Sequence, residues 1–183
     1  MTRIGPTRGA VSRCWAVLLF VSMPTAADAG ATLQKTNVER QIGTCIRKAS
    51  GGRAWLEKTL WGLRDQEGGT IGSEVPNTNG THDLGPLQIN SWWVPKIARR
   101  LSRAQREVRH WLQFDVCFNV GAAKWIFLSN LSEARDFWIA VGAYHSPRPL
   151  LQRRYALMVA GKLKLRFGSL RTASSLSWYR NVD

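Results

Sequence analysis

The clearest change of pattern along the chain lies in residues 56–90. Leu56, Leu60 and Leu63 recur at i, i+4 and i+7, the spacing that puts apolar side chains on one face of a helix. One further step of four on that face meets Glu67, a carboxylate where the pattern asks for an apolar residue. Gly68-Gly69 then ends the helix, because glycine readily takes the left-handed conformation of a C-terminal stop. The spacing predicts a helix over residues 53–67 with Glu67 at its inner edge, between the core and an open cleft. Residues 77–90 read NTNGTHDLGPLQIN, in which Asn79-Gly80 is a hairpin-turn signal with Asp83 just past it.

Elsewhere the pattern is mostly helical. Residues 31–41 are polar and predict no element, whereas residues 42–49 predict a short helix carrying Cys45, ended by Ser50-Gly51-Gly52. From Ser91 the chain turns aromatic, with Trp92 and Trp93 followed by Pro95; such rings stack on pyranose faces or serve as core and cleft wall, and both readings stand. Residues 102–111 predict a basic amphipathic helix bearing Arg103, Arg106 and Arg109. Asn130-Leu-Ser-Glu133 has the form of a capping box. It predicts the start of a helix whose apolar face is Phe137, Ala140, Val141 and then Tyr144, and which Pro147 and Pro149 stop. Leu151, Tyr155 and Met158 predict a last amphipathic helix to about residue 165. The expected class is mainly α, an α+β fold with a helical core and a small loop or hairpin region after Glu67.

Composition adds a compartment and a kind of partner. Arg3, Arg8 and Arg13 precede an apolar run, CWAVLLFVSM, and Pro24 and Ala27-Asp28-Ala29 supply a break and a cleavage site. The run is too short to span a bilayer as a mature helix. It predicts a signal peptide over residues 1–29, a domain over 30–165, a basic tail over 166–183, and an exported, periplasmic protein without a transmembrane anchor. The 183 residues carry 26 Lys+Arg against 12 Asp+Glu, a net charge of +14. That surplus suggests an anionic partner: nucleic acid, a membrane surface or an acidic wall polymer. None of the usual nucleic-acid-binding motifs is present, and no nucleic acid is expected. After the expected cut only Cys45 and Cys117 remain. In an oxidising compartment they most simply form one disulfide, worth about 4 kcal/mol by loop entropy; two separate buried thiols are the other reading. His82, His110 and His145 are scattered, so no metal is expected.

The residues around Glu67 decide between bland and chemical readings. A solvated glutamate in a last helical turn, or a buried one paired with arginine, is a common occurrence. A half-buried one has a raised pKa, which suits a general acid near neutral pH. The combination of Glu67 closing a helix, the NTNGTHD loop and Gly85-Pro-Leu-Gln88-Ile-Asn90 resembles the lysozyme-like superfamily. It is most similar to the soluble lytic transglycosylases of bacterial secretion, pilus and conjugation systems, over about residues 45–147. The resemblance implies a lysozyme-like fold and cleavage of the β-1,4 bond between N-acetylmuramic acid and N-acetylglucosamine in peptidoglycan. It makes Glu67 the catalytic acid–base, with Gln88 and Asn90 binding the glycan or bracing the loop. Tyr144 would orient Glu67 or the sugar N-acetyl group. It further implies that the helix after Asp115 packs beside Glu67, capped by Asn119 and stapled by Cys117, and no cofactor is implied. The segment AYHSP departs from the family's Ala-Tyr-Asn at His145. Asp83 supports a rival, a retaining muramidase with two carboxyl groups roughly 5 Å apart, as in c-type lysozymes. A non-catalytic wall-binding accessory protein and a secreted nucleic-acid binder are the readings from other classes. The partners the resemblance implies are peptidoglycan strands and components of a secretion, pilus or conjugation apparatus.

Overall fold

The computed structural model describes residues 26–168. The apolar run of the expected leader and the residues beyond Gly168 lie outside them, and the expected cut after Ala29 falls in the first turn of the first helix. Among the described residues the chain forms seven α-helices and a small three-stranded antiparallel sheet, so it is mainly helical with a minor β element. None of these helices is long and apolar enough to cross a membrane.

Helix α1, Ala26–Ser50, is one long helix rather than the short one predicted. Its second half buries Ile42, Cys45 and Ile46, and these alone show in the sequence pattern. Residues 33–41 are exposed or half-buried, with Leu33 66% exposed, so no apolar period announces that stretch. An ion pair from Glu39 to Arg64 at 2.5 Å fastens this stretch to the next helix. Helix α2, Ala54–Glu67, fulfils the prediction: Leu56, Leu60 and Leu63 are fully buried, and Gly68 stops the helix at φ 61°, its N–H donating to the Arg64 carbonyl.

The polar loop is a hairpin. Strand β1, Glu74–Pro76, pairs with β2, His82–Leu84, and β2 pairs with β3, Ile89–Asn90, placing Asp83 opposite both Val75 and Asn90. The turn at Asn79-Gly80 is closed by Asn77 N–H to Thr81 O at 2.8 Å, and the Asn79 side chain accepts from Thr81. A 3-10 turn, Ser91–Trp93, then leads into α3, Val94–Leu101, and α4, Gln105–Phe114. The expected basic helix over residues 102–111 is α4, which starts and ends three residues later, because Ser102, at φ 51°, ends α3 and cannot begin a right-handed helix.

Helix α5, Val116–Ala134, departs twice from expectation. Asp115, not Asn119, caps it by accepting from Phe118 N at 2.9 Å. It also runs straight through Asn130–Glu133, since no glycine or proline interrupts that turn. Asp136 starts α6, Phe137–His145, by accepting from Ile139 N at 2.8 Å. Helix α7, Pro149–Phe167, exists where predicted but is rotated. It buries Tyr155, Ala156, Val159 and Leu163, leaving Leu151 and Met158 about two-fifths exposed. Its approach to α2 is close, because a Cβ on Gly62 would lie 2.8 Å from Leu163 Cγ. Cys45 of α1 and Cys117 of α5 form a disulfide with Cα atoms 4.9 Å apart.

Candidate active site

Glu67 stands where α2 ends against the sheet, its carboxyl sunk beneath the rim of a cleft of about 590 Å³. All five residues singled out from sequence line this one cleft: Glu67, Asp83, Gln88, Asn90 and Tyr144. Burial pushes the Glu67 pKa up from 4.5 to about 7, and the negative charge of Asp83 pushes the same way. A hydrogen bond from the Tyr155 hydroxyl to Glu67 Oε1 opposes them by stabilising the ionised form. Among the described residues no cation pairs with Glu67, and Arg64 of the same helix is taken by Glu39. The buried ion pair that sequence left open is thus not what the chain builds.

The floor of the cleft is a network of side-chain amides. Asn90 donates through Nδ2 to Asp83 Oδ1 and to Thr81 Oγ1, each at 2.9 Å, and accepts from Trp92 N–H at 3.0 Å. Asp83 is therefore fixed by a neighbouring strand's amide group, whereas the turn chemistry alone suggests backbone N–H partners. Gln88 sits at φ 48° and donates through Nε2 to Gly85 O at 2.8 Å and Ser73 Oγ at 3.1 Å. It braces the loop of residues 85–88 from within.

That loop is locked to the acid by close packing. A Cβ on Gly69 would lie 2.2 Å from Gly85 O and 2.5 Å from Gln88 Nε2, so only glycine lets the end of α2 rest on the loop. Beneath it, Asn119 is fully buried and uses three hydrogen bonds. It accepts from Leu87 N at 2.9 Å and donates to Leu84 O at 2.9 Å and Leu112 O at 2.8 Å. Its role is to pin the loop from the side, not to cap α5.

Tyr144 and Tyr155 divide the work expected of Tyr144 alone. The Tyr144 hydroxyl donates to the Leu87 carbonyl at 3.0 Å, tying α6 to the loop while the ring faces the cleft. Tyr155, from α7, is the residue that touches Glu67, and sequence reading placed it only on an apolar helix face. Both phenols stay protonated well past the usual range, first because they are buried and then because Glu67 lies near. Tyr155 is thus a fixed donor to Glu67 across the neutral range. No local signal marks it, since its partner is 88 positions away.

A carboxyl that holds its proton near neutrality, with an obligate donor ready for its ionised form, can give a proton and take one back. The sign of the Tyr155 contribution yields a test. Tyr155→Phe removes a bond to the carboxylate, so the Glu67 pKa should rise and the alkaline limb of any activity that needs Glu67 protonated should move to higher pH. Turnover at the optimum should fall about tenfold, as the acid loses its aim. A pH–rate profile checks both, and an alkaline limb moved downward would contradict the arrangement. Among the described residues no group of three His, Cys, Asp or Glu is placed to hold a metal ion. In the comparisons with known proteins, no family model and no curated protein matches this chain.

Proposed function

We propose that the chain is a peptidoglycan lytic transglycosylase. Exported to the periplasm, it opens the wall locally for a secretion, pilus or conjugation apparatus. The observation that carries this reading is the Glu67 carboxyl: half-buried at a helix end, paired with no cation among the described residues, raised to about 7 and hydrogen-bonded by Tyr155 at the edge of an open cleft. The motif set from Glu67 through Asn90 and its resemblance to that family give the substrate.

In this mechanism Glu67 protonates the bridging oxygen between N-acetylmuramic acid and N-acetylglucosamine, and the bond to C1 breaks. The resulting carboxylate, steadied by the Tyr155 hydroxyl, takes the proton of the muramyl C6 hydroxyl as that oxygen attacks C1. A 1,6-anhydro ring forms, no water is consumed, and Glu67 ends protonated as it began. One carboxyl serves both steps because the substrate brings its own nucleophile. Gln88 and Asn90 keep the loop and Asp83 in place beside the strand.

Asp83 favours one other reading, a retaining muramidase, since it lies in the same cleft and its charge reaches Glu67. Asp83→Asn separates the two. In the transglycosylase the change lowers the rate only a few-fold and the products keep 1,6-anhydro ends, because general acid–base work stays with Glu67. In the muramidase it removes the nucleophile or the stabilising charge, turnover is nearly abolished, and wild type releases reducing ends. Mass spectrometry of digested wall reads the difference as one water.

A further inference from the structure

Outside the cleft, the strongest unassigned feature is a run of cations held over tryptophan rings on α3. Trp93 lines the cleft and stands edge-on to Trp92 at 5.0 Å and to Trp125 at 5.5 Å, so the cleft wall continues outward as an aromatic ridge. Trp92 is 56% exposed. The Lys96 ammonium lies 3.6 Å from the centre of the Trp92 ring and 4.8 Å from that of Trp93. One helical turn on, the Arg100 guanidinium lies 5.7 Å from the Trp125 ring.

Among the described residues these cations have no counter-charge. The ion pairs among the described residues use Arg64, His82, Arg109 and Arg166, and neither Lys96 nor Arg100 is in them. A ring face holds a cation in place without neutralising it, so the charge stays available to an outside anion and part of the cost of ordering the side chain is already met. The spacing of four residues puts the two heads on one side of the helix, each beside a ring of the ridge.

The geometry points to a carboxylate-binding extension of the cleft. The polymer lying past Trp93 carries carboxylate-bearing branches, which Lys96 and Arg100 engage while the exposed ring of Trp92 meets its apolar surface. Resting on the proposed function, this makes the preferred strand one that still bears its peptide branches rather than the bare glycan. Lys96 and Arg100 are specificity residues and take no part in proton transfer.

The test uses Glu67→Gln protein, which binds without turnover, co-sedimented with wall glycan either intact or stripped of its peptides by an amidase, with the lactyl carboxylates that the amidase frees then blocked as amides. Adding Lys96→Gln and Arg100→Gln should weaken binding to intact glycan about tenfold and leave binding to stripped glycan unchanged. Lys96→Arg, which keeps a cation over the rings, should retain binding to intact glycan, and free polyglutamate should compete better than polyphosphate. An equal loss on both glycans would assign the two cations to holding the rings, and no loss on intact glycan would remove them from recognition; either overturns the inference alone. Stronger competition by polyphosphate would also overturn it, in favour of a phosphodiester polymer or nucleic acid. Failure of the Glu67→Gln protein to sediment with either glycan, with wild type cutting neither, would instead sink the proposed function beneath it. An unchanged thermal midpoint confirms that the variants fold.

Discussion

Glu67→Gln should reduce wall-degrading activity at least about a hundredfold while leaving the fold intact. The amide keeps the shape and can still accept from the Tyr155 hydroxyl, but it has no proton to give at working pH. The stability consequence has a definite sign. Because the folded protein raises the Glu67 pKa from 4.5 to about 7, the folded state holds this proton more tightly than the unfolded chain. Wild type therefore loses stability as pH climbs through that interval, and the glutamine variant does not. The variant should match wild type near pH 4 and exceed it in thermal midpoint near pH 8. Thermal unfolding at the two pH values, beside a turbidity assay on purified wall, gives both answers. Substantial residual activity would remove Glu67 from the mechanism. A variant less stable at high pH than wild type would contradict the burial that gives the acid its proton.

Asn119→Leu should be the most damaging single change to stability. Leucine fits the volume but leaves the Leu87 N–H and the carbonyls of Leu84 and Leu112 without partners in a closed interior. Each orphaned group costs about 1–3 kcal/mol, so the total is roughly 3–9 kcal/mol, a large part of the ~5–15 kcal/mol a domain has. For a domain of this size the midpoint should drop by about 10 °C or more. Activity should fall further than the unfolded fraction explains, since Leu87 also accepts from Tyr144 and the loop it belongs to rests on Gly69. Chemical denaturation beside activity at low temperature separates the two effects. A loss within about 1 kcal/mol would mean that the loop finds other partners.

What the sequence discloses follows from how local each signal is. Glu67 announces itself because it breaks an apolar period that its own helix sets, and that helix runs where the period puts it. Asn79-Gly80 marks its turn because the required backbone conformation belongs to those residues themselves. Cys45 and Cys117 could be paired by elimination once a leader carrying Cys14 was inferred. Residues 33–41 of α1 give no signal because they lie at the surface, where packing leaves no period. Asn119 was misplaced because its position near a helix start suits a cap, while its three partners come from β2, the loop and α4. Tyr155 shows in the sequence only as one position on the face of an amphipathic helix. That a carboxyl faces it is a fact of how α7 lies on α2, and glycine at position 62 is the one sequence trace of that approach.

The span between Glu67 and its hydrogen-bond donor also governs when the protein acquires its chemistry. Synthesis proceeds from the N-terminus, so the carboxyl precedes Tyr155 by 88 residues and waits for α7 before its surroundings are complete. A partly made chain contains the residues of α2 and the hairpin but lacks the wall that dries and orients the acid. In the proposed transglycosylase this keeps activity latent until the last described helix has docked, so that the order of the polypeptide itself acts as a safety catch.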